Sequence, residues 1–283
     1  MQSITFNTPQ TEPGTQEGFK VGEHVCPVVS NEWVNDRYKH LVLEAPERAL
    51  SVEAGQFFHL LCPSSKNGNP FLRRPMSVYQ ADRKNERIEF LYKCLGAGTH
   101  GMAILKPDDT FNIVGPLGIG FTVNPAWHHI AVLGRGVGLA TLAPLARMAA
   151  NLGVRVTAIL SAQKQDYLMS QDVFDAAGAR VITVTDEEGT SAVDNVKSIL
   201  KNQIARDHVD GFFTCGSNRL MLIMKELGAK YEIPGQVALE QQMACGLGMC
   251  FCCVRSFEVG EEVLHRRVCC EGPVFDMQEA LSW

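Results

Sequence analysis

The chain is 283 residues long, 46% hydrophobic and carries a net charge of −5, material for about two domains with cores of their own. No block of Lys or Arg is long enough to follow a phosphate backbone, and no apolar run reaches the ~18–20 residues that span a bilayer, so neither nucleic acid nor a membrane is an expected partner. The first basic residue is Lys20 and no apolar stretch accompanies it, unlike a secretory signal.

Residues 1–18, rich in Thr, Gln, Pro and Gly, read as a loose arm. Residues 19–125 then show short apolar runs between turn signals, at 25–29, 38–43, 57–61, 76–79, 88–92 and 111–114, without a long helical pattern. Six strands at that spacing predict a closed antiparallel β barrel. Within it, Arg73-Arg74-Pro75-Met76-Ser77 sets a guanidinium and a hydroxyl three residues apart on a Pro-fixed extended backbone, a pattern suited to clamping a phosphate. A solvated basic pair at a strand edge is the competing reading. Gly96-Ala97-Gly98-Thr99, just past the strand that ends at Tyr92-Lys93, allows close backbone approach to a ring or phosphate and adds a hydroxyl. A simple turn is the plainer account of the same residues.

From 126 to 235 strands and helices alternate: strands at 130–133, 154–160, 181–185 and 211–215, helices at 138–152, 170–177, 192–204 and 218–231. Alternation of this kind predicts a doubly wound parallel sheet. Gly134, Gly136 and Gly138 follow its first strand and open its first helix, where a diphosphate is attracted to free N–H groups. The spacing is G-x-G-x-G, short of the full dinucleotide fingerprint, so a Gly-rich turn without a ligand is the alternative. Cys215 and Gly216 end the last strand, where ligands of such sheets sit; Cys215 either faces a bound ring or is a small buried hydrophobe.

Residues 236–283 are too few for a core of their own and are expected to be stapled by a metal centre. Cys245, Cys250 and Cys253 have the spacing C-x4-C-x2-C, and Cys269 follows after a charged, hairpin-like stretch. This is the plant-type arrangement for a 2Fe-2S cluster. Gly246 and Gly248 favour it by letting the loop wrap closely, with zinc or plain thiols as the alternatives. The other six cysteines, at 26, 62, 94, 215, 252 and 270, lack disulfide-framework spacing, which suits a reducing cytoplasm. The eight histidines show no metal-ligand spacing, and Arg255, Arg266 and Arg267 read as solvated surface beside the cysteines.

In their order these motifs resemble the ferredoxin reductase family, and within it the iron–sulfur electron-transfer subunits of NAD-dependent (class 1B) dihydroorotate dehydrogenases. The likeness spans nearly the whole chain after residue 20 and includes Gly115-Pro116-Leu117-Gly118, Leu239-Glu240-Gln241-Gln242 and Gly272-Pro273-Val274-Phe275. It implies FAD contacts at Arg74, Pro75, Met76, Ser77, Leu91, Tyr92, Lys93, Gly98 and Thr99. It places NAD(H) at Gly134, Gly136, Gly138 and Gly216, with the nicotinamide near Cys215. It also selects Cys269 over Cys270 as the fourth cluster ligand and leaves Cys252 between ligands.

Arg135 and Thr141 stand where the family usually has Gly and Pro, and Ser217-Asn218 where it commonly has prolines. The implied activity carries electrons from NADH through FAD and the cluster to an FMN-containing catalytic subunit, two copies of each forming the assembly. The same role for another client, such as a bifurcating or sulfur-reducing complex, is one alternative. A redox-sensing or structural module with a degenerate nucleotide site is another.

Overall fold

The computed structural model describes residues 21–282, so the arm expected at 1–18 lies outside the described residues. Seven strands form the first sheet: β1 (Gly22–Trp33), β2 (Tyr38–Glu44), β3 (Phe57–Leu60), β4 (Arg74–Ser77), β5 (Gln80–Asp82), β6 (Arg87–Lys93) and β7 (Thr110–Leu117). Their order is β4-β3-β7-β1-β2-β6-β5 and every pairing is antiparallel. The outer strands β4 and β5 are consecutive in the chain, with only Val78 and Tyr79 between them. Val78 donates its N–H to the Gln56 carbonyl and Tyr79 to the Glu89 carbonyl, at 3.0 and 2.9 Å. Two residues extend only about 7 Å, so the sheet has to curl until its ends meet, which gives the expected barrel. Its interior holds Phe58, Phe90 and Tyr92, all fully buried.

In β1 the side chains alternate, with His24, Cys26 and Val28 inward. A bulge between Val28 and Ser30 then breaks the register with β2. The extra residue turns Asn31 inward. There Asn31 donates to the carbonyls of Met102 and Leu105 at 2.9 and 3.0 Å and accepts from the Tyr92 hydroxyl at 2.9 Å. After the single-turn helix α1 (Glu47–Leu50), the second helix α2 (Ala97–Ala103) is the element those carbonyls anchor. Lys39 adds a bond from Nζ to the Ala103 carbonyl at 2.9 Å. The end of α2 is thus bound to the barrel wall by buried polar contacts, each of which would be costly to leave unpaired.

The second sheet comprises β8 (His129–Arg135), β9 (Arg155–Ala162), β10 (Arg180–Thr185), β11 (Gly211–Cys215) and β12 (Gly235–Ala238). The helices α3 (Gly138–Asn151), α4 (Gln171–Ala176), α5 (Val193–Arg206) and α6 (Asn218–Tyr231) connect them. These five strands are parallel, in the order β10-β9-β8-β11-β12. Helices on both faces explain why β8 and β9 are buried almost without interruption. Successive crossovers leave β8 in opposite directions, so the crevice between β8 and β11 is the topological switch point.

The last segment forms the hairpin β13 (Val254–Val259) and β14 (Glu262–Arg267), the one-turn helix α7 (Val268–Glu271) and β15 (Val274–Asp276). β15 joins the second sheet, antiparallel to β12. Val268, Cys269 and Phe275 share a core with Phe57 and Leu117 of the barrel and Leu133 and Phe212 of the parallel sheet. The segment therefore borrows its core, as its length requires. Among the described residues no helix is long and apolar enough to cross a membrane.

Candidate functional site

The barrel, the parallel sheet and the cysteine segment meet around a cavity of about 970 Å³, large enough for a dinucleotide-sized ligand. One wall is the edge strand β4, whose Arg74, Pro75, Met76 and Ser77 all line it. Leu91 and Lys93 of β6 line it too, while Tyr92 between them points into the barrel, as strand alternation demands. Gly98 and Thr99 belong to the first turn of α2, so the expected turn is the start of a helix. Thr99 Oγ1 accepts the N–H groups of Leu95 and Gly96 at 2.8 and 3.1 Å, which engages the hydroxyl in capping. A Cβ on Gly98 would lie 2.8 Å from Arg74 Nε. Glycine there lets the guanidinium lie against the helical turn, so the two motifs meet and focus positive charge where an anion would bind.

The opposite wall comes from α3 (Val137, Ala140, Thr141) and from the irregular stretch after β12 (Glu240 to Met243, and Cys252). Glu240 belongs to the Leu239–Gln242 stretch that carries part of the family likeness, but no role was read for it from the sequence. It opens onto the cavity yet is enclosed by protein on its other sides, and burial raises its carboxyl above the usual range. Cys215 is 2% exposed and shares a hydrogen bond with Thr141. Thr141 reaches the cavity wall and Cys215 stands behind it; burial, and then the nearby Glu240, push the thiol up and disfavour its ionisation.

Gly134, Gly136 and Gly138 form the turn from β8 into α3, and Gly216 opens the turn after β11. A Cβ on Gly138 would come within 2.6 Å of the Cys215 backbone, and one on Gly216 within 2.3 Å of the Arg135 carbonyl. These glycines allow the two turns to touch at the switch point. Arg135 reaches across the ends of the neighbouring strands, donating to Ser161 Oγ at 2.8 Å and to Asp186 at 2.5 Å. Asp186 also accepts from the Ser191 hydroxyl, and that bond, with Arg135 second, holds its carboxyl below the usual range. Only the carboxyl ends of β8, β9 and β10 together define this clamp, so sequence reading saw a substituted loop residue and no more.

The four cysteines of the ligand pattern come together as two pairs, Cys245 with Cys250 and Cys253 with Cys269. Cys253 and Cys269 are 2% and 1% exposed, whereas Cys250 is open to solvent. Partial burial works against ionisation of Cys245. Hydrogen bonds from the Leu247 N–H and from Cys250 outweigh it and bring the thiol down to about 7. Burial first, then the neighbouring Cys253, raise Cys269, against a hydrogen bond from the Gly248 backbone.

Among the described residues no three His, Cys, Asp or Glu side chains already converge on one point. Two thiol pairs offer two thiolates to each of two irons, and the Gly248 backbone is bonded to the Cys269 sulfur. Arg267 is no solvated bystander: it donates to the Gly248 carbonyl at 3.0 Å and to Glu271 at 2.8 Å, pinning the loop. Cys252 faces the cavity, and the Cys270 sulfur lies beside Gly248.

A family model for the iron–sulfur cluster binding domain of dihydroorotate dehydrogenase B matches residues 240–281. The dihydroorotate dehydrogenase B (NAD(+)) electron transfer subunit of Desulforamulus reducens is 30% identical over 236 residues, 83% of this chain and 89% of the relative. That of Geobacillus thermodenitrificans is 31% identical over 264 residues, 92% and 99%. Among solved structures, a chain of the NADH-dependent reduced ferredoxin-NADP oxidoreductase superposes with a TM-score of 0.75 at 24% identity, covering 91% of this chain and 90% of its own. Ferredoxin-NADP+ reductase from Plasmodium falciparum does so at 0.59 and 12%, covering 80% and 98%. These two likenesses establish the ferredoxin reductase-like fold. The identities to curated relatives extend over nearly their full length, and the chain therefore belongs to the family of dihydroorotate dehydrogenase B (NAD+) electron transfer subunits.

Proposed function

We propose that this chain takes electrons from NADH and delivers them, through FAD and a 2Fe-2S cluster, to a separate FMN-containing catalytic subunit that oxidises dihydroorotate or reduces orotate. The observation that carries this reading is the shared cavity: the β4 and α2 motifs form one wall, and the stretch leading into the cysteine loop, with Cys252, forms another. When bound, FAD accepts a hydride and releases electrons singly, and a 2Fe-2S cluster carries one electron.

Arg74 and the first turn of α2 hold the diphosphate; Met76 and Leu91 supply apolar surface for the ring, and Ser77 a hydroxyl at its edge. The turns at Gly134–138 and Gly216 accept the pyridine nucleotide at the switch point. Glu240, whose carboxyl burial raises above the usual range, lines the wall opposite β4. Cys245, Cys250, Cys253 and Cys269 ligate the irons. Leu247, Met249 and Phe251 project beside the exposed Cys250, and we assign them to contact with the catalytic subunit in an assembly of two copies of each. The exposed thiols of Cys250 and Cys252 suit the reducing cytoplasm.

The test is an anaerobic titration of the purified, cofactor-loaded chain with NADH, followed by the co-purifying partner and orotate. Bleaching of the flavin, then of the cluster, then turnover of orotate is the expected sequence. Bleaching without orotate turnover overturns the choice of client, and no bleaching with either pyridine nucleotide overturns the electron-transfer reading.

A further inference from the structure

His59 lies on β3 with 1% of its surface exposed, and neither ring nitrogen has a hydrogen-bond partner among the described residues. Buried polar groups in folded proteins are almost always paired, so two orphaned nitrogens on one ring mark a place where something belongs. Burial, reinforced by the positive charge of Arg73, lowers the imidazole to about 4. It is therefore neutral at physiological pH, with one N–H donor and one lone pair.

The ring's surroundings say where its donor points. A Cβ on Gly246 would lie 2.9 to 3.0 Å from Cε1, Nε2 and Cδ2 of His59. The Nε2 edge thus presses against the cysteine loop one residue past Cys245, and the loop can lie there only because residue 246 has no side chain. On the other side, Phe57 lies two residues earlier on the same face of β3, its ring centroid 5.9 Å from that of His59. Phe57 lines the cavity. His59 thus lies between Phe57 on the cavity wall and the cysteine loop at Gly246.

We propose that His59 donates its Nε2–H to an inorganic sulfide of the iron–sulfur site and thereby raises that site's reduction potential. The inference rests on the cysteine loop holding a 2Fe-2S cluster. Hydrogen bonds to cluster sulfurs favour the reduced state because they stabilise the added negative charge. Backbone N–H groups already serve the loop, at Leu247 toward Cys245 and at Cys269 toward Cys253. A side-chain donor from the barrel adds a link that ties the potential to the wall of the flavin cavity.

The experiment uses the cofactor-loaded full chain with 15N-labelled histidine, reduced anaerobically and examined by pulsed electron paramagnetic resonance. A 15N coupling to the reduced cluster, absent in His59→Phe, is expected. The cluster midpoint should move to a more negative potential in His59→Phe and part of the way back in His59→Gln, which keeps an N–H donor. A clear cluster signal without 15N coupling, or a His59→Phe midpoint equal to that of the unmodified chain, overturns the proposal. Should His59→Phe fail to fold, the coupling in the unmodified chain alone decides. Absence of iron and of any cluster signal overturns the cluster reading itself, and iron analysis distinguishes that failure from the other.

Discussion

On the barrel side of the cavity, Arg74 to Ser77 sit in a ladder with β3 and Gly98-Thr99 in a capped helical turn. Across from them, residues 239–253 form neither strand nor helix. The first wall is held by long-range backbone pairing and by the buried Asn31 contacts, so it is complete without a ligand. The second is held by N–H groups turned toward sulfur, by Arg267 and by the two thiol pairs, and it lacks the cross-links that would make it rigid. The contrast suits the two jobs proposed for them: a wall for a large planar flavin, and a loop whose final geometry is completed by metal. Losing the metal should dismantle the loop and spare the barrel.

Cys253→Ser is the sharpest way to break the comparison. Cys253 is buried and paired with Cys269, so bound iron should fall to near zero by elemental analysis. FAD content and reduction of the flavin by NADH should largely persist, because the flavin contacts proposed on β4 and α2 rest on barrel pairings that do not involve the cysteines. Loss of FAD together with iron would show that the two walls form one unit. Arg74→Ala should do the converse, weakening FAD by ~10- to 100-fold in a fluorescence titration, as expected for charge-assisted bonds of ~1.5–3 kcal/mol, with iron content unchanged.

A smaller effect is expected at the nucleotide turn. Asp186 occupies the Arg135 guanidinium, which would otherwise be free to grip a 2′-phosphate. Asp186→Ala should raise the preference for NADPH relative to NADH by about tenfold in kcat/KM, or ~1.4 kcal/mol; an unchanged ratio would remove Arg135 from nucleotide selection.

The smallest effect concerns Glu240, whose carboxyl is raised by burial. For a raised acid the folded state favours the protonated form, so its contribution is full below the ordinary carboxylate pKa and is lost as pH rises through the raised value. Thermal melts from acid to neutral pH should show this loss in the unmodified chain and not in Glu240→Gln. The same variant should flatten the pH profile of flavin reduction.

Sequence patterns exposed what depends on local spacing. The alternation of strand and helix in 126–235, the cysteine spacing and the two cavity motifs are short-range signals: the alternation is present, the four cysteines come together as two pairs, and residues of both motifs line one cavity. β5 escaped because its three residues, Gln80 to Asp82, include no apolar pair. The helix at Gly98 escaped because glycine is a poor helix former, and the bonds that hold this helix come from Asn31 and Lys39 in distant strands. Glu240, His59 and the Arg135–Asp186 clamp were invisible for one shared reason: each acquires meaning from a residue far away in the chain. Cys215 sits at the strand end where a ligand contact is expected, but whether a side chain there reaches a cavity or packs behind Thr141 is decided by tertiary packing.

The antiparallel strand β15 has a consequence for how the molecule is made. A ribosome releases β12 well before residues 274–276, and until they arrive the outer edge of β12 is a bare row of N–H and C=O groups, a template for pairing with other chains. The cysteine loop lies between these two strands, tethered at one end only. Registering β15 on β12 covers the edge and fixes the loop's other end at once, so closing the nucleotide sheet and preparing the iron site become a single late event in biogenesis.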